Sequence, residues 1–271
     1  MESEGFEEKH RAVIEGVTLL MNRSANDWVV QSYALRGIPD KHCCLLVSDG
    51  TEFATGIGSI AEDAGFYVVS LPSSVASFEL DNLQRHLLQS YSLLVLVRGE
   101  HFTQYGNESF YELLREFVLT GGVLFATSWV SWETKYLYEF KEVLPFRHIR
   151  DTYNEGVRLT CAPTKERFAQ ELLSKPISYY ASFELLEKRD GSSVLLEAPG
   201  LVPLLGYRHF GLGSCYYFNT CQHMCLGHIA SPLGTTPELR SALSKLLAKI
   251  HGDVAKRQSS RTMPNGPSEQ V

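Results

Sequence analysis

The sequence predicts an α/β protein built on a mostly parallel, three-layered sheet with helices on both faces and an antiparallel extension. Two observations predict it. Four short apolar runs, at 42–47, 66–71, 92–97 and 122–127, alternate with stretches of helical character, which is the pattern of repeated βαβ units. Each run is continuously apolar rather than alternating, so both faces of its strand must be covered, as in the centre of a parallel sheet.

The elements follow in order. Between the runs, apolar spacing predicts helices near 52–64, 79–89 and 107–119. In the last, Phe110, Leu113, Leu114, Phe117 and Val118 recur on one face, Asn107 suits the N-cap, and Gly121-Gly122 ends the helix. The crossovers are expected to be right-handed. Beyond residue 130, helices near 134–142 and 164–174 flank a strand at 157–161, and 178–220 reads as strands joined by turns at Asp190-Gly191 and Pro199-Gly200, which makes the antiparallel extension. A closing helix from Pro237 to His251 carries Leu239, Leu243, Leu246, Leu247 and Ile250 on one stripe.

The opening stretch, 6–21, reads as a helix docked through Leu19 and Leu20. The chain thus divides into an N-terminal helical segment (1–38), one α/β body (39–254) and a Ser-, Pro- and Gln-rich disordered tail (255–271).

Composition narrows the function. Hydrophobic residues make 44% of the 271, enough for a sizeable core, and the net charge of −6 provides no basic footprint for nucleic acid. No apolar run approaches a membrane span and no early segment reads as a secretory signal, so a cytoplasmic protein without a membrane or nucleic-acid partner is expected. Six cysteines in this length are too few for a disulfide framework, and reduced, buried thiols are the expectation.

In an open parallel sheet, ligands bind beyond the carboxyl ends of the strands, which directs attention to four turns. After the first strand, Asp49 and Gly50 could offer an anion the N-terminus of the next helix, although a capped turn explains them as well. Gly56 and Gly58 read as points of close helix packing. After the third, Gly99 would turn a backbone N–H toward the crevice and Glu100 would place an acid there. After the fourth, Ser128 lies where α/β enzymes mount a nucleophile on a strained strand-to-helix elbow, with Trp129 and Trp132 covering the cleft. Val130, β-branched, opposes a tight turn at Ser128.

The loop after the strand-like run 214–218 is the densest in chemistry. Cys221, His223, Cys225 and His228 are all able to ligate a metal, with zinc the ion that thiolate and imidazole suit. Their C-x-H-x-C-x-x-H spacing lacks the distant second pair of the usual zinc modules, so no cofactor is assigned. Alternatively His223 or His228 serves as base to Ser128, with Glu100 or Glu133 completing the set.

With these elements in order, the chain resembles the class I glutamine amidotransferase-like superfamily, with its flavodoxin-like sheet, and within it the ThuA-like and biotin-protein-ligase N-terminal groups. The resemblance covers about 42–132 and 203–250. It is carried by Arg98-Gly99 after the third strand, by the helix end Phe117-Val118-Leu119-Thr120-Gly121-Gly122 before Val123-Leu124-Phe125-Ala126, and by the segment Pro203 to Phe218 with its Gly211-Leu212-Gly213 turn. It implies an oxyanion hole at Gly99, a nucleophile at the place of Ser128 and a catalytic His at His223 or His228. The chain departs from the family where catalysis would need it. The elbow has no Cys, Val130 stands where Gly is usual, and Cys225 replaces the Glu that should follow His223 by two. The resemblance therefore implies a divergent domain without the Cys-His-Glu triad, acting as a binding or interaction module for a protein partner or small-molecule ligand. A Ser/His hydrolase or transferase, or a metal-dependent protein using 221–228, are the alternatives.

Overall fold

A computed structural model of the chain describes residues 11–14, 17–24, 27–32, 42–72, 88, 90–97, 108–135, 137–222 and 231–262. Its first elements are extended: β1 (Arg11–Ile14), β2 (Val17–Ser24) and β3 (Asp27–Ser32) form an antiparallel three-stranded sheet. At the described residues 11–14 and 17–21 this corrects the expectation of a helix over 6–21. In the register of β1 and β2, Val13 stands opposite Thr18 and Ile14 opposite Val17, and β-branched residues favour strands over helices.

The main body starts with β4 (Cys43–Ser48), α1 (Glu52–Asp63), β5 (Tyr67–Pro72), β6 (Leu93–Leu96), α2 (Glu108–Leu119) and β7 (Val123–Thr127). The helix expected over 79–89 falls almost wholly outside the described residues, as does the expected N-cap Asn107. Next come α3 (Val130–Glu133), α4 (Tyr138–Lys141), β8 (Phe146–Pro163), α5 (Arg167–Leu172), β9 (Ile177–Lys188), β10 (Ser192–Ala198), β11 (Val202–Phe210), β12 (Gly213–Phe218), α6 (Pro232–Thr235) and α7 (Pro237–Thr262). The helix predicted over 134–142 is shorter, α4 alone, and α3 ends at Glu133 before that range. Leu137, with φ −90° and ψ 87°, breaks the helical path between them. The strand predicted at 157–161 is the middle of the long, bulged β8. The closing helix runs beyond His251 to Thr262, into the stretch expected to be a disordered tail.

Nine strands form one mixed sheet in the order β5-β4-β6-β7-β12-β11-β10-β8-β9. The first five are parallel to their neighbours, and from β12 onward each pairing is antiparallel. The apolar runs are continuous because each parallel strand packs on both sides. Cys44, Leu46, Leu93, Val95 and Phe125 join a core with Phe53, Ile57 and Ile60 of α1 and Leu239, Leu243 and Leu246 of α7. Their neighbours Leu45, Val47, Leu94, Leu96 and Leu124 join a second core with Phe110, Leu114 and Phe117 of α2. Each such side chain, fully buried, contributes about 1.5–3 kcal/mol.

Close approach explains the helix glycines. A Cβ on Gly58 would lie 2.9 Å from Leu46, and one on Gly56 3.1 Å from Leu233. Among the described residues no helix is long and apolar enough to cross a membrane.

Candidate functional site

The turn after β4 caps a helix. Asp49 Oδ1 accepts from the Thr51 N–H at 3.0 Å and from the Thr51 hydroxyl at 2.7 Å, while Gly50 takes the left-handed φ of +81° that closes the turn. Thr51 then accepts from the Ala54 N–H at 3.2 Å as N-cap of α1. A second donor of that helix end, the Phe53 N–H, goes to Gln222 Oε1 at 3.2 Å, from the loop after β12. Two of the donors that an anion would use at this terminus are thus already bound within the protein.

The turn after β7 holds the strained residue, one position later than the sequence suggests. Trp129 has φ +77° and ψ −22°, and Ser128 precedes it. The residues two before and two after the elbow are therefore Thr127 and Ser131, both small and buried, rather than Ala126 and Val130. This removes the steric objection raised by Val130 and places an indole, which has no nucleophilic atom, at the point of the turn.

Buried hydrogen bonds tie this elbow to β9 and to the end of β12. The Trp129 N–H donates to Glu184 Oε2 at 2.9 Å, and its indole N–H donates to Cys221 Sγ at 3.0 Å. The Ser131 N–H donates to Tyr217 Oη at 3.1 Å, and the Tyr217 hydroxyl donates in turn to Glu184 Oε2. Ser128, wholly buried, donates its hydroxyl to Asn219 Oδ1 at 3.2 Å. An amide oxygen is too weak a base to activate that hydroxyl. In an acyl-transfer elbow the N–H following the nucleophile helps form the oxyanion hole. For Ser128 that donor is the Trp129 N–H, which is held by Glu184.

Glu184 lies near the middle of β9 with no solvent exposure. Besides Trp129 and Tyr217, its carboxylate faces His148, whose Nδ1 is 3.4 Å from Oε1. Burial, and then the adjoining Glu184 charge, push the Tyr217 phenol well above its ordinary value, so it stays a donor at physiological pH. Asn219, at the end of β12, ties the two strands together. Its Oδ1 also accepts from the Glu184 N–H at 2.8 Å, and its Nδ2 donates to the Glu184 carbonyl at 2.8 Å and the Pro203 carbonyl at 3.1 Å. Ser182 and Cys221 then pair through two backbone hydrogen bonds of 3.2 and 3.0 Å.

Of the residues singled out from sequence, Ser128, Trp129 and Cys221 come together here. Asp49 and Gly50 belong to the α1 cap. Gly99, Glu100, His223, Cys225 and His228 lie outside the described residues. Glu133 accepts from the Tyr111 hydroxyl. Among the described residues no three of His, Cys, Asp and Glu are grouped to hold a metal. The sequence reading missed Glu184, Tyr217 and His148. A lone acid in the apolar run Phe183-Glu184-Leu185-Leu186 was the available signal, since a carboxylate there must find buried partners.

Beside this network opens a pocket of about 360 Å³, lined by Ser131, Lys135, Lys141, Glu142, Leu144, Phe146, Arg147, His148 and Arg189. Ser131 and His148 are shared with the elbow network.

No family model and no curated protein matches this sequence. Solved structures do resemble it. A cytoplasmic protein from Salmonella typhimurium LT2 is 18% identical with a TM-score of 0.59, over 85% of this chain and 94% of that one. A second cytoplasmic protein from Salmonella typhimurium is 17% identical with a TM-score of 0.57, over 86% and 95%. A ThuA-like protein from Parabacteroides merdae is 12% identical with a TM-score of 0.55, over 84% and 93%. The chain shares their fold. That likeness is consistent with the amidotransferase-like, ThuA-like architecture that the order of sequence marks implies, and at these identities it concerns architecture alone.

Proposed function

We propose that this chain is a divergent amidotransferase-like domain that binds a partner or ligand without performing the family's acyl-transfer chemistry. Its α/β body, residues 39–254, is read as a flavodoxin-like three-layer arrangement. One observation carries the proposal: the elbow residue is Trp129, and its N–H is committed to the buried Glu184 carboxylate at 2.9 Å. A carboxylate held there repels a developing oxyanion instead of stabilising it. The two Salmonella neighbours are cytoplasmic proteins, which supports a cytoplasmic location.

The test uses the full chain, a fluorophosphonate probe for activated serine and L-glutamine as substrate. Intact mass should show no adduct on residues 127–131, and ammonia release should match a buffer blank. A fluorophosphonate adduct on Ser128, lost in Ser128→Ala, would overturn the reading and restore a Ser-dependent hydrolase.

A further inference from the structure

We propose that the pocket between α3, α4 and the start of β8 is a binding site for a small organic phosphate. The inference deepens the binding reading above and rests on it. Its first ground is charge. The chain carries a net −6, yet this pocket is lined by Lys135, Lys141, Arg147 and Arg189 against the single acid Glu142.

That acid is already engaged. Glu142 Oε1 lies 3.1 Å from Arg189 Nη1, and Glu142 Oε2 lies 3.9 Å from Arg208 Nη1. Arg147 pairs with Glu187, and Lys135 sits 4.7 Å over the Trp132 ring. Counting these neighbours, five Lys and Arg side chains stand against two Glu, with His148 and its partner Glu184 behind them.

Crowding of like charge supports the same reading. Burial lowers the Arg189 value, Glu142 opposes the lowering, and Arg208 and Arg147 add to it. An anion bound among these groups would relieve their repulsion.

The chemistry favours a dianion. One carboxylate is matched by one bidentate Arg, whereas several convergent cations, lysines among them, suit a phosphate with three acceptor oxygens. Size favours an organic ester over the free ion. A volume of about 360 Å³ falls within the range of small-molecule sites and exceeds what a free phosphate ion fills.

Phenyl phosphate is a suitable probe, with phenol as its neutral counterpart, titrated into the full chain by calorimetry at low salt and followed by amide chemical shifts. The expected result is saturable one-to-one binding that shifts residues 131–148 and 189, no saturable binding of phenol, and at least tenfold weaker binding in the Lys135→Gln/Lys141→Gln double variant. No saturable binding, or equal binding by the double variant, would sink the proposal. So would phenol binding as tightly as its phosphate. Such failures leave the elbow argument standing, whereas a fluorophosphonate adduct on Ser128 would overturn the reading without acyl transfer and leave the ligand class intact.

Discussion

The Trp129 N–H and the Glu184 carboxylate meet at 2.9 Å in a site closed to solvent. This bond joins the elbow after β7 to the middle of β9, strands that four others separate in the sheet. It holds a non-glycine residue at φ +77°, a conformation that surrounding contacts must impose.

Because of that φ, glycine and alanine should rank in an unusual order at position 129. Trp129→Ala should cost about 3–5 kcal/mol through lost packing. Trp129→Gly should cost about 1 kcal/mol less, since glycine accepts the left-handed turn that alanine resists. Urea midpoints of the two variants give the comparison, and equal costs would show that the turn relaxes once the indole is gone.

Asn219 and Ser128 share a hydrogen bond but should differ sharply in their effect on stability. Asn219→Ala strands the Glu184 N–H and carbonyl and the Pro203 carbonyl, at roughly 1–3 kcal/mol for each buried group, so a loss of at least about 3 kcal/mol is expected. Ser128→Ala removes one donor from an oxygen that keeps the Glu184 N–H, and should cost less than about 1.5 kcal/mol. Chemical denaturation of both variants checks the contrast. A Ser128→Ala loss as large as that of Asn219→Ala would contradict the network described.

The described thiols should resist alkylation. Burial pushes Cys161 up to about 12, and burial raises Cys44 and Cys215 strongly as well, so little thiolate is present at pH 8. Iodoacetamide at pH 8 should leave these three unlabelled in the native protein and label them in urea. Rapid native labelling of Cys161, seen by peptide mass, would refute their burial.

Acid should destabilise the protein through His251. Burial first, and then repulsion from His42, lower its value in the fold below the ordinary 6.5. As pH falls through that range the unfolded chain takes up the proton sooner, so stability declines with falling pH below about 6.5. Melting temperatures between pH 7.5 and 5.5 should drop less steeply in His251→Gln than in the native chain. An unchanged slope would assign the acid sensitivity to other groups.

Much of the fold was legible in local pattern. The continuous apolar runs at β4, β6 and β7 marked two-sided burial, and α2 was placed within a residue of its observed start by Phe110, Leu114 and Phe117 on one stripe. The pattern failed at 11–14 and 17–21, where β-branched residues outweighed a helical spacing of apolar ones. It failed again beyond His251, where a polar composition masked a helix that continues to Thr262. At the site, Ser128, Trp129 and Cys221 were singled out for separate roles and the structure brings them together, with the left-handed residue one position after Ser128. The register of the elbow depends on φ at Trp129, which no residue type signals when the residue is not glycine.

The sequence by itself determined the α/β class, the run of parallel strands and the glycines that let α1 lie close to Leu46 and Leu233, because these follow from periodicity and side-chain size along short stretches. Only the tertiary structure decided the site. Glu184 is far from Trp129 in the chain and meets it because the antiparallel extension folds back beside the parallel strands, and Tyr217, His148 and Asn219 gather around that carboxylate and its backbone. A buried carboxylate must be satisfied by whichever donors the completed sheet brings to it, and that pairing is a property of the assembled fold.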